Sequence, residues 1–130
     1  MQRANDKAGT KPRDICERTF CFAVEVVTLC RRLEQADSAP RSLGRQLIRS
    51  GTSIGANVEE AQGGQSRADF ISKYAIARKE ARETRYWLRL LGATSIVTDE
   101  EVTPLTQECN ELIAILTTII KKAQNNGDGP

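Results

Sequence analysis

The sequence predicts an all-α protein, an antiparallel up-down-up-down four-helix bundle, on three observations. Four stretches repeat their apolar residues at helical spacing, the breaks between them are short and carry Gly, Pro, Ser or Asp, and aromatics make up only 5% of a chain that is 39% hydrophobic. Aliphatic residues at a 3.6-residue period bury as one stripe per helix, and short connections make neighbouring helices antiparallel. At 130 residues the chain fits one domain with a sufficient core. The bundle is expected over 13–124, flanked by polar tails at 1–12 and 125–130 that mix Gly, Asn and Pro without periodicity.

A first helix from about Asp14 to Gln35 places Ile15, Phe22, Val26, Leu29 and Leu33 on one face, continued by Cys16, Ala23 and Cys30. Phe20, Val24 and Val27 extend the apolar arc to roughly two thirds of the circumference, well beyond the ~100° stripe of a bundle helix. Only the sector with Arg18, Glu25, Thr28 and Arg32 reads as solvated. The surplus apolar surface, centred on Phe20, Val24 and Val27, predicts burial against another subunit.

Residues 36–40 read as a loop whose Pro40 suits a first helical turn. The second helix carries Leu43, Leu47, Gly51, Ile54, Val58 and Ala61 inward and ends at Gly63-Gly64. Gly51 and Gly55 each cost about 1 kcal/mol relative to Ala inside a helix, which predicts close approach of a neighbour there. Beside this face runs a polar line, Ser50, Ser53, Asn57 and Glu60, read either as a ligand site or as an internal network fixing helix register.

Ser66 followed by Asp69 resembles a capping box opening a third helix that Gly92 should stop after Leu91. Its inward face is Phe70, Tyr74, Ala77, Ala81, Thr84, Leu88 and Leu91. For the fourth helix, Thr98 and Glu101 form a capping box, with Val97 and Val102 as a hydrophobic staple. Pro104 falls in its second turn, and Leu105, Cys109, Leu112, Leu116, Ile119 and Ala123 form the core stripe, widened by Ile113 and Ile120.

Composition excludes several function classes. There is no histidine, no CxxC pair among Cys16, Cys21, Cys30 and Cys109, no Gly-rich phosphate loop and no nucleophile with a recognisable base. The expectation is a protein that is not an enzyme, with no metal and no cofactor. The cysteines read as buried thiols in a reducing, cytoplasmic setting, and no segment has the length and apolarity of a membrane span.

The net charge is only +2, but residues 41–89 hold ten Lys or Arg against five Asp or Glu, whereas 98–125 hold two against five. Arg78, Arg82, Arg85 and Arg89 fall on one arc of the third helix, and Arg41, Arg45 and Arg49 align likewise on the second. Arginines at i,i+4 repel one another, so each stripe calls for an acidic partner. One partner is a nucleic-acid backbone, because guanidinium forks match phosphate and spaced cations release counterions. The other is a set of carboxylates, Glu100, Glu101, Glu108 and Glu111 of the fourth helix or Glu59 of the second, in the same or an adjacent subunit.

The segment Gln46–Glu60 (QLIRSGTSIGANVEE), with Ser66–Phe70 (SRADF) and Ile76–Glu83 (IARKEARE), resembles the four helix bundle proteins encoded in intervening sequences of bacterial 23S rRNA genes, the S23 ribosomal protein family. The resemblance runs from about Phe20 to Ala123 and is strongest over Gln46–Leu91. The family's Ser-Ile-x-x-Asn-aliphatic-x-Glu pattern falls on Ser53, Ile54, Asn57, Val58 and Glu60. Ala61 stands where many members have Gly. The stretch Tyr86–Leu91 (YWLRLL) is also similar to the accessory variability protein of diversity-generating retroelements, a basic homopentamer of four-helix protomers that binds a reverse transcriptase and nucleic acid. The resemblance thus implies a homopentamer, with ribosomal RNA, other nucleic acid or a reverse transcriptase-like protein as partner, and the charge-broken apolar runs add the expectation of no membrane association.

Overall fold

The computed structural model describes residues 14–64 and 66–127. Four helices follow one another: α1 Ile15–Glu34, α2 Ser38–Gln62, α3 Arg67–Ala93 and α4 Asp99–Gly127. Their contacts fix an antiparallel up-down-up-down order. Leu33, Val26 and Thr19 of α1 meet Gly44, Gly51 and Gly55 of α2 in descending register. Ser50 faces Thr84 and Gln62 faces Tyr74 across α2 and α3, and Arg85 faces Asn110 and Arg78 faces Thr117 across α3 and α4.

The core follows from the apolar periodicity. Phe22, Val26, Leu47, Ile54, Val58, Tyr74, Ala77, Ala81, Leu88, Leu91, Cys109, Leu112 and Leu116 are buried in one cluster. Phe70 stacks on Tyr74 with ring centroids 4.4 Å apart. In α4 the fully buried isoleucine is Ile120, while Ile119 is half-buried, so the stripe shifts by one residue from the expected line.

The glycines of α2 have the packing reason their spacing calls for. A Cβ on Gly44 would lie 3.0 Å from Leu33 Cβ, and one on Gly55 would lie 3.2 Å from Thr19 Oγ1. Small residues bring the two backbones close, and the buried Thr19 hydroxyl turns back to the Ile15 carbonyl at 2.9 Å.

Several boundaries differ from expectation. α2 begins at Ser38, so Pro40 lies within its first turn, where no intrahelical N–H is required. Gly92 does not stop α3, which runs to Ala93. Instead Gly92 sits where α4 crosses: a Cβ there would come within 3.0 Å of Val102 Cγ1. The chain then turns through Ser95 in a left-handed conformation (φ 61°). α4 also extends to Gly127, so 125–127 are helical where a tail was expected, and Pro104 is accommodated inside the helix. The tails at 1–12 and 128–130 lie outside the described residues.

The expected caps form. The Thr98 hydroxyl accepts from the Glu101 amide at 3.2 Å, and Glu101 accepts from the Thr98 amide at 3.3 Å, with Val97 and Val102 both buried beside them. At α3 one half of the box is present, Asp69 N–H donating to Ser66 Oγ at 3.1 Å.

α1 and α4 touch least of the adjacent pairs, leaving an open groove of about 560 Å³ floored by Leu29 and Leu105. The α1 sector expected to be solvated faces this groove. Arg18 donates to Glu108 at 2.7 Å and Glu111 at 2.8 Å. Arg32 bonds Glu101 at the other end, so two arginines strut the groove through three ion pairs. The heptad spacing of Arg18, Glu25 and Arg32, answered by Glu101 and Glu108, is the signal in the sequence for this arrangement.

Candidate nucleic-acid interface

The two arginine stripes, alike in sequence, have different surroundings. On α2, Arg45 lies 3.0 Å and Arg41 3.6 Å from Glu34 at the end of α1. Arg49 pairs with Glu80 at 3.4 Å and with Glu83 on α3. Every charge of this stripe therefore has a carboxylate of the same chain beside it. Glu34 and Glu83 titrate below the usual carboxylate range because Arg45 and Arg49 respectively hydrogen-bond their charged forms.

The acids doing this are not the ones the sequence pointed to. Glu108 and Glu111 clasp Arg18, and Glu101 serves Arg32 and its own helix cap. Glu59 and Glu100 are exposed and form no ion pair with either stripe among the described residues. Glu34, Glu80 and Glu83 had the requisite charge, but their pairing depends on helix rotations that the sequence leaves open.

On α3 the stripe has no acidic partner among the described residues. Arg78 bonds the Thr117 hydroxyl at 3.4 Å, and Arg85 bonds the Asn110 side-chain carbonyl at 3.0 Å. Both partners are neutral, so they orient the guanidinium groups without cancelling their charge. Arg82 and Arg89 are exposed and make no hydrogen bond or ion pair to the described residues. Arg89 shares a shallow cleft with Thr103, Thr106 and Asp99 without an ion pair to the latter.

The cause is the polarity of α4. Its acidic edge, Glu101, Glu108 and Glu111, turns toward α1, while the edge beside α3 carries Thr106, Asn110 and Thr117. The arginine line from residue 78 to 89 spans roughly 17 Å along the helix, a length that tracks several consecutive phosphates. Next to it, Tyr86 is 53% exposed, with its ring edge-to-face on Trp87 at 5.1 Å. The sequence reading did not single this tyrosine out as a site residue; its place between Arg82 and Arg89 at i+4 and i−3 was the available signal.

The polar line of α2 divides. The Ser50 and Thr84 hydroxyls, both fully buried, lie 2.9 Å apart and join α2 to α3. Ser53 donates to the Arg49 carbonyl at 2.6 Å and Asn57 to the Ser53 carbonyl at 2.8 Å, both within their own helix. Glu60 reaches outward to Lys73 at 2.9 Å. These four residues do not converge on one point.

On α1, Phe20 is 63% exposed, and Val24 and Val27 are half-buried. Cys21, Cys30 and Cys109 are buried thiols outside any disulfide, and Cys16 is half-buried. Burial pushes Cys30 up to about 11 and Cys109 up to about 12, the neutral forms of packed side chains. Among the described residues no His, Cys, Asp or Glu cluster could hold a metal ion, and no helix is long and apolar enough to cross a membrane.

The family model described as 23S rRNA-intervening sequence protein matches residues 11–118. A solved structure from Bacteroides thetaiotaomicron, a protein with unknown function from the S23 ribosomal protein family, is 43% identical and superposes with a TM-score of 0.78. The similarity covers 83% of this chain and 99% of that one. No curated protein matches the chain.

Proposed function

Since this chain belongs to the 23S rRNA-intervening sequence protein family, we propose that it is a non-catalytic homo-oligomer that binds RNA through the arginine stripe of α3. The observation that carries the reading is the contrast between the stripes. Arg41, Arg45 and Arg49 are neutralised by Glu34, Glu80 and Glu83, whereas Arg78 and Arg85 bond only neutral groups and Arg82 and Arg89 form no ion pair among the described residues. Mutual repulsion along α3 is relieved when an anionic strand lies on it, and counterion release adds to affinity.

Self-association multiplies that effect. The exposed Phe20 with Val24 and Val27 offers a surface for a second copy, and a ring of copies, five by resemblance, presents several stripes to one strand. The family description ties its members to 23S rRNA, which makes ribosomal RNA the first strand to try.

The test compares RNA affinity of Arg82→Ala/Arg85→Ala/Arg89→Ala with that of Arg41→Ala/Arg45→Ala. The proposal expects loss of binding in the first variant and near wild-type binding in the second. Equal affinity in both overturns it.

The second reading is a protein-binding scaffold without a nucleic-acid role, supported by the carboxylate partners of the α2 stripe. It expects arginine substitutions on either helix to lower stability or subunit number and leaves no RNA affinity to lose.

A further inference from the structure

The surface of α3 offers more than charge. Arg82 and Arg89 are four residues before and three after Tyr86, so all three share one exposed edge of the helix. The Tyr86 ring is half exposed, and its hydroxyl makes no hydrogen bond to the described residues. It is nevertheless held in place. Its neighbour Trp87 meets it edge-on at 5.1 Å, and the Trp87 indole N–H donates to Glu83 at 3.2 Å. Glu83 in turn is fixed by Arg49 of α2. An aromatic surface with little conformational freedom left to lose is therefore open to solvent between two unpaired cations.

Beside that ring lies a cleft of about 200 Å³ lined by Tyr86, Arg89, Leu90 and Ala93. Its walls are an aromatic edge, two aliphatic side chains and a guanidinium, with no carboxylate among them. A planar, electron-rich, neutral group attached to an anionic chain matches all of these at once. A nucleobase in single-stranded RNA has that chemistry, whereas a base inside a duplex has both faces covered by its neighbours.

Resting on the proposed RNA-binding role, we infer that Tyr86 is a stacking platform for an unpaired base whose flanking phosphates are held by Arg82 and Arg89. The protein then prefers single-stranded over duplex RNA. The α3 stripe supplies the salt-dependent part of the affinity, and the ring supplies the discrimination between the two forms.

The experiment measures binding of a short labelled RNA without self-complementarity, and of the same strand annealed to its complement. It uses wild type, Tyr86→Ala, Tyr86→Phe and Arg82→Ala/Arg89→Ala, each checked for helicity and subunit number. Wild type should bind the single strand more tightly. Tyr86→Ala should lose roughly tenfold on the single strand and nothing on the duplex, while Tyr86→Phe keeps its affinity. Emission of Trp87, the chain's single tryptophan, should be quenched by the single strand alone.

If Tyr86→Ala binds like wild type while the arginine variant is weakened, the stacking inference falls and the arginine reading stands. Equal losses on both RNA forms, or a changed subunit number in Tyr86→Ala, also overturn it, the latter by assigning the ring to a protein contact. If wild type binds neither RNA, both readings fall.

Discussion

The Arg85 guanidinium donates to the side-chain carbonyl of Asn110 at 3.0 Å, a contact that positions a cation without neutralising it. The charge of the α3 stripe is thus available to an external anion, and Asn110 is the place to remove it with minimal change of shape. Asn110→Asp should leave stability unchanged or raise it by a few tenths of a kcal/mol, as an exposed ion pair does. RNA affinity should fall several-fold by electrophoretic mobility or anisotropy. Undiminished affinity would place Arg85 outside the interface.

Packing between α1 and α2 makes a sharper structural prediction. A Cβ on Gly51 would lie 2.9 Å from Val26 Cγ1, and Val26 is fully buried with a stiff, branched side chain. Gly51→Ala should therefore lose about 1–3 kcal/mol in denaturant unfolding, outweighing alanine's helix preference. Val26→Ala in the same chain should recover part of that loss. At Gly63, where the nearest atom is 3.9 Å away, alanine should be tolerated.

Stability should fall at both ends of the pH scale. Glu34, Glu83 and Glu101 are held below their ordinary values by hydrogen bonds from Arg45, Arg49 and Arg32. Their stabilising effect is present above the unfolded carboxylate value, about 4.3, and is lost as pH falls through the depressed folded values. Arg49→Gln should flatten the acid limb of a Tm-against-pH curve. Cys30 and Cys109 are raised to about 11 and about 12, so their contribution is present below the unfolded thiol value, about 8.5, and declines above it. Cys109→Ala should flatten the alkaline limb, whatever the change in its absolute height.

The exposed ring of Phe20 allows a test of self-association. Phe20→Ser removes apolar surface that a second copy would bury, worth roughly 1.5–3 kcal/mol per contact. Light scattering at micromolar concentration should show a smaller species than wild type, with the monomer fold intact by circular dichroism. An unchanged subunit number would place the interface elsewhere.

The four helices were legible because apolar period and caps agree. Thr98 with Glu101 marks the start of α4, and Gly51 and Gly55 announce a close helix crossing that Val26 and Thr19 supply. Gly92 was misread as a stop because a glycine that ends a helix and one that admits a neighbour look the same in sequence; Val102 decides for the latter. The candidate site was half legible. Both arginine stripes follow from helical spacing, but their difference depends on which carboxylates face them. Glu83 reaches Arg49 only because α2 and α3 pair in one register, and Glu108 is unavailable to α3 because it turns toward Arg18. Tyr86 entered the sequence reading only within the YWLRLL resemblance and not as a site residue, because its spacing from Arg82 and Arg89 gains meaning only with its exposure, which separates it from a core aromatic such as Tyr74.

The measurement that bears most directly on the α3 stripe is the salt dependence of RNA affinity. For wild type, the logarithm of the association constant should fall linearly with the logarithm of salt concentration. Arg82→Ala/Arg89→Ala should reduce the magnitude of that slope by about 1.4, at about 0.7 per single-strand phosphate contact removed. A slope that is the same in both proteins, or no RNA binding by the wild type at low salt, would contradict the account.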